Sequence, residues 1–261
     1  MSNLRVFFIG GLLSYRALFS WTSPWIFIPS LVITPVFQIL LFAYIGDAAG
    51  VGDNRFFLVG NAIQYASIPC LFAMGNTISG ERRSSTLSLL LVTPARRLAI
   101  FGGRAVPTVI NSAAVTIVAL AIGAVLLHVT IPLSAVLPLL VVIVVASASC
   151  TGLGLLLAAV ALRVRETAVL PNVVYGILLI FGGVNVALDT LPGWMQVVGN
   201  ALPLTHAIEA ARLVATGSPL ARVSGLLAVE IGIGIGYTAL GFLLLRILET
   251  GSRRNATLEL M

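Results

Sequence analysis

The chain alternates long apolar stretches with short polar segments. Stretches without a charged residue cover residues 17–46, 56–80, 105–162 and 167–188, and each can cross a hydrocarbon core of roughly 30 Å at least once. The longest stretch must be divided, because prolines and polar residues between His128 and Pro138 disfavour a continuous helix. The pattern predicts an all-α polytopic membrane protein with six spans, at about residues 24–46, 56–78, 104–127, 135–161, 168–188 and 225–247.

The composition agrees with a membrane protein and excludes several functions. Hydrophobic residues make up 59% of the chain, charged residues 9%, and the mean hydropathy is +1.08, whereas soluble proteins carry about 25% charged residues. All 15 basic residues are arginine, so the chain has no Walker A loop, which needs a lysine. The histidines are isolated and the two cysteines lack metal-site spacing. We therefore expect no ATPase, enzymatic, metal or cofactor site in this chain, and no binding of nucleic acid.

The arginines predict an orientation in the membrane. With alternating loops, twelve arginines fall on one side and only Arg55, Arg212 and Arg222 on the other. Because cytoplasmic loops carry the excess of positive charge, both termini are expected in the cytosol. Residues 1–23 are interpreted as an interfacial helix, residues 24–188 as spans one to five, residues 225–248 as the sixth span and residues 249–261 as a cytosolic tail.

Residues 189–224 are too polar for a span and too apolar for an ordinary loop. Pro192 and Pro203 bound one short helix, and a second helix over 204–216 places Glu209 and Arg212 three residues apart on one face. We expect a re-entrant or interfacial pair of helices on the outer side, covered by protein or water. A loop that lies on the surface is the alternative.

The cytosolic loop over residues 79–104 combines charge with a short apolar helix. A charged cluster is followed by the apolar run Leu87–Val92, which Thr93 and Pro94 end. Such a helix suits docking into a groove of another protein. The alternative is a stop-transfer cluster followed by an interfacial segment.

This loop resembles the second cytosolic segment of the permease subunits of ABC-2 type exporters, a family that includes daunorubicin-resistance permeases. The matching residues are Glu81, Arg82, Thr86, Leu87, Leu89, Leu90, Thr93 and Pro94. Ser85 and Ser88 depart from the family pattern, which has Gly and Glu there. The sequences at 191–196 and 202–212 are similar to the family's extracellular helical hairpin, and the order of these segments agrees along nearly the whole chain.

The resemblance implies a plasma-membrane permease that exports a hydrophobic or amphipathic substrate, such as a drug or lipid. A second permease, identical or a sister chain, pairs with it, and separate ABC ATPase subunits bind ATP and Mg²⁺. The implied contacts with these ATPases are the matching loop residues together with Arg83. A polysaccharide or glycolipid exporter of the same family is one alternative. A polytopic membrane enzyme acting on a lipid, and a passive channel or scaffold, are the others.

Polar groups inside the spans are the remaining candidates for a pathway or an interface, because hydrocarbon disfavours them. They either join helices or touch substrate, and the candidates are Phe37, Gln38, Asn61, Gln64, Asn111, Asn172, Asn185, Glu230 and Tyr237. With the last helix starting near Gly225, Glu230 is expected about 7 to 8 Å along it. It shares a stripe with Gly234, Tyr237 and Gly241 that should pack against protein. Glu230 is expected to border the outward exit or to tie the last span to the outer pair of helices, with Arg212 or Arg222 as the available partner. The alternative is a purely structural ion pair, or a protonated carboxylic acid bonded to a neighbouring helix.

Overall fold

A computed structural model describes the backbone of residues 24–50, 53–83, 97–161 and 169–255, and the side chains of residues 33–50, 53–75, 102–161 and 169–247. This part of the chain forms α-helices joined by turns and one short 3₁₀ helix, with no strand. The α-helices are α1 (Pro24–Ala48), α2 (Asn54–Tyr65), α3 (Ser67–Arg83), α4 (Arg97–Leu126), α5 (Leu133–Ala161), α6 (Val169–Phe181), α7 (Gly193–Ala201), α8 (Thr205–Ala215) and α9 (Leu220–Asn255). The all-helical architecture expected from the sequence is confirmed.

Four of these segments are long and apolar enough to cross a membrane. They are Asn54–Gly75, Gly102–Leu126, Leu133–Ala161 and Leu220–Ile247. Two shorter apolar segments, Ile33–Ala48 in α1 and Val169–Phe181, fall in two further predicted spans. The protein is therefore a multi-pass membrane protein by the length and composition of its helices.

Proline and glycine explain where the helices break. Pro69 has no N–H to donate to the carbonyl of Tyr65, and the chain turns at Ala66 between α2 and α3. The predicted break after His128 is present, since α4 ends at Leu126 and α5 begins at Leu133. Helix α6 ends at Phe181, before the predicted limit of residue 188, and Gly183 takes a φ of +70° in the bends that follow.

The core is built around α5, which packs along α9 and α3 and also contacts α4 and α8. Small residues permit the close approach of α5 and α9. A Cβ added to Gly234 would lie 2.7 Å from the Cα of Ser149, and one added to Gly241 would lie 3.0 Å from the backbone nitrogen of Leu156. The glycines of the predicted stripe thus face protein, as expected.

The C-terminal segment differs in detail from the prediction. Helix α9 starts at Leu220, five residues before the expected start at Gly225. The two short helices predicted over residues 191–203 and 204–216 are present as α7 and α8, and α8 is largely buried against α2, α5 and α9. Its burial among three other helices excludes a loop that merely lies on the surface.

Candidate functional site

The predicted ATPase-contact segment lies largely outside the described residues. Residues 84–96, which include Thr86, Leu87, Leu89, Leu90, Thr93 and Pro94, are not described, nor is the predicted interfacial helix 1–23. Helix α3 ends at Arg83, so the backbone of Glu81, Arg82 and Arg83 is helical while their side chains are not described. The role of this segment stays a prediction.

Amide side chains from different helices meet in one hydrogen-bonded group, here called the amide network (Gln38, Asn61, Gln64, Tyr175 and Asn185). Gln38 Nε2 donates to Asn61 Oδ1 at 3.1 Å, and Asn61 Nδ2 donates to Asn185 Oδ1 at 2.8 Å. Tyr175 Oη donates to Gln38 Oε1 at 2.6 Å, and Gln64 Nε2 lies 3.5 Å from the carbonyl oxygen of Tyr175. The network ties α1, α2, α6 and the bends after α6 together.

Four of the predicted polar residues therefore join helices, and the other candidates lie elsewhere. Asn111 is half-buried on α4, Asn172 is exposed on α6, and Phe37 is 68% exposed on α1. Sequence reasoning missed Tyr175, whose hydroxyl completes the network. Its polar atom inside an apolar stretch was the available signal, because a buried tyrosine hydroxyl normally finds a hydrogen-bond partner.

Arg212 of α8 binds backbone carbonyls. Its guanidinium donates to the oxygens of Gly183 at 2.8 Å and Val184 at 2.6 Å, and lies 3.4 Å from the centre of the Phe56 ring. Burial lowers the pKa of Arg212 to about 10, so the group stays cationic at neutral pH. Glu209 is exposed, and its negative charge partly opposes this lowering of the Arg212 pKa. Arg212 thus fixes the bends after α6 against α2 and α8.

Glu230 of α9 is completely buried and binds the start of α8. Its Oε1 accepts from the N–H of Leu204 at 2.8 Å, and its Oε2 accepts from the N–H of Ala207 at 3.3 Å. The expectation of an arginine partner is wrong, because Arg222 is exposed and Arg212 binds carbonyls. The expected depth is also wrong, since α9 begins at Leu220 and Glu230 lies about 15 Å along it.

A second contact joins α9 to the same segment. Tyr237 Oη donates to the carbonyl oxygen of Ala201 at 3.3 Å, at the end of α7. Glu230 and Tyr237 therefore hold both helices of the α7–α8 segment (Gly193–Ala215) against one face of α9. Glu230 and Tyr237 therefore bind backbone groups of this segment, where the sequence led us to expect a charged side chain as the partner of Glu230.

Hydroxyl and thiol groups that the sequence did not single out connect α3, α4 and α5. Ser112 Oγ donates to the carbonyl of Ala66 at 2.8 Å and lies 2.9 Å from Ser147 Oγ. Thr151 Oγ1 donates to Cys70 Sγ at 3.3 Å. Side chains of this kind commonly link helices in membranes, and their spacing along the chain gave no sign that they meet.

An apolar recess of about 320 Å³ lies over α5, between α4 and α9. Its lining includes Met74, Val109, Ala148, Leu155, Thr238 and Phe242. The described residues contain no group of three or more His, Cys, Asp or Glu side chains that could hold a metal ion. The site residues described above are thus suited to join helices and shape an apolar surface.

Comparison with protein families identifies a match over most of the chain. The family model described as ABC-2 type transporter matches residues 11–215, more than three quarters of the chain. No curated protein matches the chain.

Proposed function

Because the chain belongs to the ABC-2 type transporter family, we propose that it is the permease subunit of an exporter that moves a hydrophobic or amphipathic substrate across the plasma membrane. The substrate class is a drug or a lipid. The family match over residues 11–215 is the observation that carries this proposal, and the apolar helices support it. Transport of a polysaccharide or glycolipid remains the runner-up within the same family.

The proposed topology has six spans and two cytosolic termini. Helices α1 and α6 are counted as two further spans beside the four long candidate segments, because each is apolar and coincides with a predicted span. The arginine distribution supports a cytosolic loop between α3 and α4. The burial of α8 among α2, α5 and α9 supports a re-entrant α7–α8 segment on the outer side, because irregular backbone at membrane depth needs protein cover.

ATP hydrolysis belongs, in this proposal, to separate ABC ATPase subunits that bind ATP and Mg²⁺. The absence of lysine from the sequence excludes a Walker A loop in this chain. Residues 81–94 are the proposed contact with the ATPase, with the apolar side chains of Leu87, Leu89 and Leu90 entering a groove on it. Glu81, Arg82 and Arg83 begin this segment, where the backbone of α3 ends.

A second permease, identical or a sister chain, is proposed as the other partner. The exposed apolar face of α1 offers a surface for it, with Phe37 and Tyr44 more than 60% exposed. Asn111 is half-buried on α4, and hydrocarbon disfavours amides. Asn172 is exposed on α6. We assign both to a surface that meets a second permease or the substrate.

Co-purification with an ABC ATPase tests the proposed function. Leu87→Asp, Leu89→Asp and Leu90→Asp should each lower recovery of the ATPase about tenfold or more, because each would bury a charge in the contact. Ser88→Asp is the matched control, since the family pattern carries an acidic residue there. Membrane insertion should be unchanged in all four variants. Equal recovery of the ATPase with wild type and all three leucine variants would contradict the proposed contact.

A further inference from the structure

The first turn of α8 lacks the cap that a helix start normally has. Leu204 is the residue before the first turn and has no side-chain oxygen to accept from it. Leu204 also has a φ of +77°, in the left-handed region that non-glycine residues seldom adopt. The N–H groups of Leu204 and Ala207 both face the interior rather than solvent. An unsatisfied buried donor is costly, so the start of α8 needs acceptors from another part of the chain.

The carboxylate of Glu230 supplies both acceptors. In a capping box, one side chain accepts from the N–H at the third helical position, and another accepts from the N–H of the capping residue itself. Ala207 occupies that third position and Leu204 is the capping residue. Glu230 binds these same two donors, one with each oxygen. A single residue of α9 therefore does, from a different helix, what two local side chains usually do.

The lengths of the helices fit this arrangement. Helix α8 has 11 residues, which corresponds to about 16 Å. Glu230 lies ten residues after Leu220, or about 15 Å along α9. With a short turn joining Ala215 to Leu220, α8 runs back along the first third of α9, and its N-terminus meets Glu230. The positive end of the α8 dipole then faces the carboxyl oxygens of Glu230.

We propose that Glu230 is a positioning residue that makes the α7–α8 segment move together with α9. The cap attaches the segment about 15 Å along α9, and α9 continues without a break to Asn255 at its other end. A displacement of α9 is thereby transmitted to α7 and α8. This inference rests on the proposed function for its transport consequence, but the cap itself can be tested without transport.

Glu230→Gln removes the negative charge and one hydrogen-bond acceptor while it keeps the shape of the side chain. The glutamine side chain has nearly the same size, yet only one of its end groups accepts a hydrogen bond, and its NH₂ would face a backbone N–H. Glu209→Gln is the matched control. It makes the same substitution on α8, at an exposed residue that donates no hydrogen bond to α9 and accepts none from it within the described structure.

Hydrogen–deuterium exchange of the full chain in phospholipid nanodiscs measures the cap. In Glu230→Gln, the amides of Leu204 and Ala207 should exchange at least about fivefold faster than in wild type. Glu209→Gln should leave both rates unchanged. Exchange at the wild-type rate in folded Glu230→Gln would overturn the proposal.

If Glu230→Gln fails to fold, Glu230→Asp decides, because its shorter side chain keeps the charge but cannot reach both donors. Wild-type exchange of both amides in Glu230→Asp would also overturn it.

Export by the assembled complex measures the consequence. Glu230→Gln should lower the rate of export about fivefold or more while the amount of folded complex equals that of Glu209→Gln. A parallel loss of folded complex and export, with the export rate per complex unchanged, would reduce Glu230 to a stabilising residue and overturn the positioning role. Absence of ATP-driven export in wild type would contradict the proposed function, and the exchange rates would still report on the cap.

Discussion

At the scale of single residues, buried polar side chains join the described helices through the amide network, Arg212 and Glu230. Gln38, Asn61 and Asn185 stand out as amides in apolar stretches, and they meet in the amide network. The acceptor role of Glu230 could not be deduced in the same way. Its partners are backbone N–H groups, which every residue has and no sequence pattern marks. Arg212 was likewise expected to bind a carboxylate, and it binds carbonyl oxygens exposed by bends after α6.

Replacing Arg212 should destabilise the fold. Arg212→Met removes the hydrogen bonds to the carbonyl oxygens of Gly183 and Val184 but keeps much of the side-chain volume. We expect the free energy of unfolding to fall by about 2 kcal/mol. Thermal or denaturant unfolding of the chain in detergent measures this. Arg222→Met is the control, because Arg222 is exposed, and equal stability of the two variants would contradict the assigned role of Arg212.

At the scale of helices, hydropathy predicted where apolar segments lie but not where hydrogen-bonded helices stop. The predicted span 56–78 contains the break at Ala66, and α9 begins five residues before the predicted start. Hydropathy could not place either boundary, because both depend on backbone geometry and on packing against α5 and α8. The stripe on α9 was predicted correctly, since small residues repeated on one face indicate close helix packing.

The stripe leads to a prediction that compares two glycines of α9, Gly234 and Gly236. Gly234→Ala should weaken the contact between α5 and α9, because the added Cβ would lie 2.7 Å from the Cα of Ser149. The loss should be about 1 to 3 kcal/mol in the free energy of unfolding. Gly236→Ala is the matched control, because nothing lies within 4 Å of a Cβ at this position. Unfolding of both variants in detergent makes the comparison, and an equal or larger loss in Gly236→Ala would contradict the packing described here.

At the scale of the whole molecule, the protein is a helical membrane subunit of the ABC-2 type transporter family. Its composition could predict a multi-pass protein, because an apolar chain with few charges cannot form a water-facing surface. Its partners could be anticipated only through the resemblance around Glu81 and Pro94. The charged and apolar pattern of residues 81–94 indicates that this segment can dock on another protein. Which protein it docks on depends also on the surface of that partner, which this sequence does not contain.

The central claim is that this permease works only with a separate ATPase, and transport in proteoliposomes tests it most directly. The chain is reconstituted with and without its ABC ATPase partner, and movement of a fluorescent phospholipid and of a hydrophobic cationic dye is followed with and without ATP. The account predicts movement of at least one probe only when chain, partner and ATP are all present. ATP hydrolysis by the chain alone, equal movement without the partner, or no ATP-driven movement of either probe would contradict it.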